Sequence, residues 1–349
     1  MHRRGLFWLF AALMAGPALA WNPPLYRCPF TATAPVIDGR LDDPAWQAAP
    51  WTADFVDIEG ARRPVAPRFR TRARLLWNLE HLFVAVELSE PHVWGTLRDH
   101  DAVIFYDNDI ELFVDPDGDH HLYGELELNA LGTAWDLLLV RPYRDGGPAV
   151  NGWTLTGLAS AVHVDGTLND PRDTDRGWTV ELAIPWDALR DLVGPRACPP
   201  APGDWWRLNL SRVEWHHRLD AGRYVRVPID GLGWKGEDNW VWAPQGAVAM
   251  HQPETWGFVS FVGPDGVAAG DPRDELRAVY ELLWPVYLAQ KARDGGYASR
   301  LDDLEGLSPA TRERVVLVGG PAGWTATLEV AGRRWAVDDE GRLTAPGAD

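Results

Sequence analysis

The stretch Asp99-His-Asp-Ala-Val-Ile-Phe-Tyr-Asp-Asn-Asp-Ile-Glu-Leu-Phe-Val-Asp-Pro-Asp-Gly-Asp-His-His-Leu-Tyr-Gly-Glu-Leu-Glu-Leu-Asn-Ala-Leu-Gly-Thr133 decides the fold. Ile110, Leu112 and Val114 alternate with Glu111, Phe113 and Asp115. After the turn Asp115-Pro-Asp-Gly-Asp119, Leu126, Leu128 and Ala130 alternate with Glu125, Glu127 and Asn129. A period of two places one set in a core and leaves the other face free for polar or aromatic function.

Outward from this pair, the same signals recur. Strands are predicted at Ala73–Asn78 and Leu82–Leu88, at Ala134–Val140, at Trp206–Trp215 and at Gly257–Gly263. Gly177–Trp186 puts Trp178, Val180, Leu182 and Ile184 on one face, and Pro185 is expected to end the strand. A short helix is expected over Trp186–Leu192. Many short strands with turns between them predict a mainly β chain, an antiparallel β-sandwich of immunoglobulin-like or jelly-roll-like type. After Pro264 the spacing of Leu276, Val279, Tyr280, Leu283 and Tyr287 becomes helical, with Pro285 expected to kink or shorten the helix. Strand signals follow near Val315–Val318, Thr325–Val330 and Arg334–Val337. The expected organisation is a leader over 1–20, a sandwich over 21–264 and a small α+β domain over 271–345, a docking or packing module that would take a protein partner.

The 349 residues carry a formal net charge of -17, and 46% are hydrophobic. That balance supports a large core, and it argues against nucleic acid and anionic membranes because no basic stripe exists to engage phosphates. Neutral sugars and divalent cations remain compatible. His2, Arg3 and Arg4, the apolar run Leu6–Met14 and the small residues Ala18 and Ala20 read as an export signal, so the expected location is secreted or periplasmic. No later segment is long and apolar enough to span a bilayer. The two cysteines, Cys28 and Cys198, would be able to pair in an oxidising compartment. The 20 tryptophans mostly fill core, with a few free to stack on ligand rings.

The pattern Phe105-x-x-Asn108-x-x-Glu111-x-Phe113-x-Asp115 resembles the family 9 carbohydrate-binding module, as do Ile37-Asp38-Gly39-x-Leu41-Asp42-x-x-x-Trp46, Gly177–Trp186, Gly203–Trp215 and Pro253-Glu-x-Trp-Gly-Phe258. The likeness runs over roughly residues 25–263 and implies non-catalytic binding of oligo- or polysaccharide, in support of polysaccharide catabolism by partner hydrolases. It implies a ring clamped between two aromatics, Phe105 (or Tyr106) and Trp242, with Glu111 and Asn239 bonding hydroxyls. The family's basic sugar-contacting residue falls in register on Glu127, with Arg74 and Arg212 as potential substitutes. The opening motif is read as structure, with Trp46 packed under the sandwich.

The resemblance also implies structural calcium. Asp107, Asp109, Asp115, Asp117 and Asp119 offer the hard oxygens that calcium prefers, without the spacing of a helix-loop-helix site. Two other readings stay open: a cell-envelope scaffold whose sugar site has decayed, and a glycoside hydrolase built on a carboxylate pair. No GxSxG, Walker or dinucleotide-binding fingerprint is present.

Overall fold

A computed structural model describes residues 21–268, 270–294, 296–320 and 322–345, so the expected signal over 1–20 lies outside the described residues. The strands in chain order are β1 (Leu25–Cys28), β2 (Val56–Asp57), β3 (Thr71–Trp77), β4 (His81–Ser89), β5 (Asp109–Asp115), β6 (Tyr123–Asn129), β7 (Ala134–Leu139), β8 (Ala149–Val150), β9 (Ala159–Asp165), β10 (Gly177–Pro185), β11 (Trp205–Glu214), β12 (His216–Asp220), β13 (Arg223–Val227), β14 (Asp238–Val241) and β15 (Gly257–Phe261). One sheet runs β1-β15-β11-β5-β6-β7-β8, with β14 and β2 on the β11 side. The other runs β3-β4-β10-β9. Among the described residues, β1 and β15 pair in parallel and the other strand pairs are antiparallel.

The two sheets close on the core that the alternation predicted. Ile110, Leu112 and Val114 of β5 and Leu126 and Leu128 of β6 meet Leu75, Val84, Val180 and Leu182 of the second sheet, all buried. Each such side chain contributes about 1.5–3 kcal/mol of burial. Strand β10 ends at Pro185, and a 3-10 helix follows over Trp186–Leu192.

The outer face of the second sheet is covered by the opening segment. Trp46 is fully buried there against Leu76, Phe83 and Ala85. Its indole donates to Glu181 Oε1 at 2.7 Å, while Glu181 Oε2 accepts from the amides of Asp38 and Gly39. Gly39 has φ +86°, and a Cβ there would lie 2.6 Å from the backbone nitrogen of His163. The Ile-Asp-Gly turn is thus a structural seal on the sheet, as expected.

Beyond the sandwich, α1 (Pro272–Ala278) and α2 (Trp284–Lys291) are joined by one wide π-helical turn over Val279–Leu283. Pro285 falls in the first turn of α2, where its missing N–H costs nothing, so the helical run continues to Lys291. A further helix, α3 (Pro309–Arg314), precedes β16 (Val316–Gly320), β17 (Gly323–Val330), β18 (Arg333–Asp338) and β19 (Leu343–Thr344), which form their own antiparallel sheet. The helices pack on Phe258, Trp205, Leu25 and Trp21 of the sandwich. Arg207 is fully buried at that seam, its guanidinium 4.1 Å from the ring centre of Phe258 and 4.8 Å from that of Tyr280. Among the described residues, no helix is long and apolar enough to cross a membrane.

The pairing expected of Cys28 and Cys198 is absent: both are free thiols. Cys28 is fully buried among core side chains, and Cys198 instead donates to the carbonyl of Trp186 at 3.1 Å.

Candidate functional site

The residues that alternate away from the core form rows across the outer face of the large sheet. Strand register aligns Val241, Ser211, Glu111, Glu127 and Trp135 in one row. It aligns Asn239, Val213, Asp109 and Asn129 in the next, and Asn209, Phe113, Glu125 and Leu137 on the other side. Asp109, Glu111, Glu125 and Glu127 are therefore four carboxylates on two adjacent strands, and each is 6% exposed or less. One oxygen each of Asp109, Glu111 and Glu127 lies within 4.8 Å of the others.

The walls of this depression are aromatic and polar. On one side, the amide of Phe105 donates to Glu127 Oε2 at 2.8 Å, and the Phe105 ring lies 4.7 Å from Tyr106 and 6.1 Å from Trp234. Trp234 is 67% exposed, at the tip of the loop between β13 and β14. Gly233 makes that tip possible. Its φ is +45°, and a Cβ there would lie 2.3 Å from the Glu237 carbonyl. Glu237 folds back to accept from the amides of Trp234 and Lys235 and from Asn239 Nδ2. Lys235 Nζ contacts the Tyr106 hydroxyl and lies 4.3 Å from the Trp234 ring centre. On the opposite side, His251 Nε2 is 4.0 Å from Glu125 Oε2, and His251 packs 4.5 Å from the half-exposed ring of Tyr143.

Burial dominates the electrostatics. It raises the Glu111 carboxyl from 4.5 to about 7; the Ser211 hydroxyl beside it offsets part of this, and Glu237 adds to it. Burial, together with mutual repulsion, lifts Asp109, Glu125 and Glu127 well above the carboxylate range. Burial and the Arg144 charge hold His251 neutral, down to about 3. No basic side chain among the described residues forms an ion pair with Asp109, Glu111 or Glu127.

Several expected site residues group here and others do not. Phe105, Tyr106, Glu111, Glu127 and Asn239 come together on this face. Trp242 does not. Asn239 and Trp242 are three residues apart, so the pleat sends them to opposite faces, and Trp242 is buried in the core against Gly257. The exposed aromatic beside Phe105 is Trp234, which sequence reasoning missed, although the glycine-flanked run Gly231–Gly236 marks a turn tip with an indole on it. Ser211, Glu125, Tyr143 and His251 were missed too. Only the first two carry a sequence signal, because they are on alternating strands.

Neither potential substitute for the family's basic residue reaches this face. Arg74 lies on the other sheet, over Trp51 and bonded to the Trp46 carbonyl. Arg212 points to the core side, where it is fully buried and bonds Glu90 at 2.6 Å and Glu214 at 2.8 Å.

The five aspartates expected to share metal are also divided. Asp107 is saturated by Thr96, Leu97 and Asn129. Asp109 belongs to the acidic floor. Asp115, Asp117 and Asp119 cluster at the turn, but Asp115 accepts from the amides of Gly118 and His120, and Asp119 from His121 and from Arg342 of the C-terminal sheet. That turn spends its oxygens on its own backbone and on holding the tail.

Residues 37–198 match the model of the family described as carbohydrate family 9 binding domain-like. This segment is similar to that family. The family 9-like sandwich is also similar to solved structures. One is a "putative carbohydrate-binding protein" from Bacteroides uniformis, with 15% identity and a TM-score of 0.50 over 69% of this chain and 100% of that one. Another is a family 9 carbohydrate-binding module from Caldicellulosiruptor kristjanssonii in complex with cellotriose, with 14% identity and a TM-score of 0.42 over 71% of this chain and 100% of that one. No curated protein matches the chain.

Proposed function

We propose that this protein is a non-catalytic carbohydrate-binding protein whose ligand lies on the outer face of the large sheet. The observation that carries the reading is the pairing of an exposed indole, Trp234, with a floor of hydrogen-bond acceptors around Glu111. An indole covers the apolar face of a pyranose, and each carboxylate oxygen accepts from hydroxyls. The family match of residues 37–198 and the sugar complexes of similar modules support the same ligand class. Glu111, Asn239 and Glu127 would bond hydroxyls, while Phe105 and Trp234 would flank the ring. The basic start and apolar run at the N-terminus support export, where such a protein would serve partner hydrolases acting on polysaccharide.

Titration calorimetry against a panel of oligosaccharides and their alditols tests this. Heat that disappears in Trp234→Ala and in Glu111→Gln is the expected result. A folded protein that gives no heat with any sugar would overturn it. One observation favours a second reading, a cell-envelope scaffold. The clamp position Trp242 is committed to the core, and the tail packs on the sandwich through Phe258 and Trp205. That reading gains if sugars give no heat and a protein partner is retained by the tail sheet.

A further inference from the structure

The acidic floor has oxygens that the protein does not use. Asp109 Oδ1 accepts from the Val213 amide at 3.2 Å and Glu127 Oε2 from the Phe105 amide at 2.8 Å, which fixes both side chains. Asp109 Oδ2 and Glu111 Oε2 have no hydrogen-bond partner. Beside them, the hydroxyl of Ser211 is fully buried and stands opposite Glu111 in register on the same face; it lies near enough to lower the Glu111 carboxyl but has no partner at full hydrogen-bond geometry. Buried polar atoms are satisfied in nearly all folded proteins, so three unsatisfied oxygens on neighbouring residues of one sheet face mark a missing partner. A cation fits this spot, because three carboxyl groups meet there and none forms an ion pair with a basic side chain among the described residues. It must also be compact, because their oxygens lie within 4.8 Å of one another.

We propose that Asp109, Glu111, Glu127 and the Ser211 hydroxyl hold a calcium ion at the floor of the depression, and that this ion carries the hydroxyls of the bound sugar. Calcium takes about six to eight hard oxygens in irregular geometry. Three carboxylates and one hydroxyl leave coordination positions free, which a vicinal diol fills. The ion restores the positive charge that Glu127 removes from this row. The choice of this floor over the Asp115–Asp119 turn follows from the donors: amides and Arg342 take up the oxygens of Asp115 and Asp119, whereas Asp109 and Glu111 each keep one buried oxygen without a partner. The second half of the inference rests on the carbohydrate-binding reading; the first half does not.

The full chain, stripped with chelator, is titrated with calcium chloride by calorimetry, and sugar binding is then measured with calcium and with EDTA. One calcium per chain is expected, lost in Glu127→Gln and in Ser211→Ala and retained in Asp117→Asn. Absence of calcium binding in the wild type, or its persistence in both floor variants, overturns the site. Sugar heat that is unchanged in EDTA overturns the bridging role while leaving the carbohydrate reading intact. Calcium bound at the floor with no heat from any sugar upholds the site and overturns the carbohydrate reading.

Discussion

Replacing Glu111 with glutamine isolates the cost of the acidic floor. Burial raises this carboxyl from 4.5 to about 7. Between those values the native state keeps a proton that the unfolded chain has released. Stability is therefore fully present below about pH 4.5, falls as the pH rises, and levels off above pH 7. A separation of about 2.5 pH units at about 1.36 kcal/mol each gives about 3 kcal/mol. The amide has the same shape and no proton to lose, so this fall is missing in the variant. His251, lowered to about 3, and His120, lowered by burial, act in the opposite sense below about pH 6.5. Both remain in the variant and cancel in the difference. Urea denaturation in chelator at pH 4.5, 6, 7 and 8 should show the variant gaining about 3 kcal/mol on the wild type across the range. A difference that stays constant with pH would refute the reasoning, since it would mean that the carboxyl is solvated or already paired. Saturating calcium should abolish the wild-type fall, because a bound cation displaces the proton.

Trp234→Ala should weaken sugar binding by about 1–3 kcal/mol, about fivefold to 150-fold by calorimetry, while leaving stability within about 0.5 kcal/mol, since the side chain is largely solvent-exposed. Arg212→Ala should destabilise the fold by about 3–5 kcal/mol in scanning calorimetry, because it strands Glu90 and Glu214, both nearly fully buried, without their cation. Under denaturing conditions without reductant, a thiol reagent should titrate two free thiols per chain, Cys28 and Cys198; zero would restore the disulfide.

The sandwich was legible because its information is local. The alternation in β5, β6 and β10 states which side chains face the core, and the structure buries those residues. Pro285 shows the limit of such reading. Its effect on the helix depends on whether the preceding turn can widen, which Val279–Leu283 do. The site was half legible. Glu111 and Glu127 share a face through period two alone. The loss of Trp242 was decidable from the same rule, because a spacing of three on a strand changes face, yet a motif match concealed it. Arg212 likewise alternates with Ser211 and is thereby directed to the core. Trp234, Tyr143 and His251 reach the depression from loops distant in sequence, and no periodicity reports such meetings. The thiol pairing depended on three-dimensional placement in the same way.

The proposed place of the ligand agrees with what covers the rest of this face. A sheet face must be packed or solvated. Toward β15, the tail helices enclose Arg207 between Phe258 and Tyr280. Next to it, Phe113, Tyr123, Leu137 and Leu139 are sealed by Trp256 and Met250. What remains is the end where Asp109, Glu111, Glu125 and Glu127 replace apolar residues, beside the exposed indole of Trp234. An apolar partner cannot close it, because four buried carboxylates would then lose their remaining access to water and to cations. A partner that brings hydroxyls, or a cation that in turn binds hydroxyls, satisfies them. The tail helices over Phe258 and the Met250–Trp256 segment over Phe113 together consume the apolar part of the sheet, and the part they leave is the acidic one proposed to take a sugar.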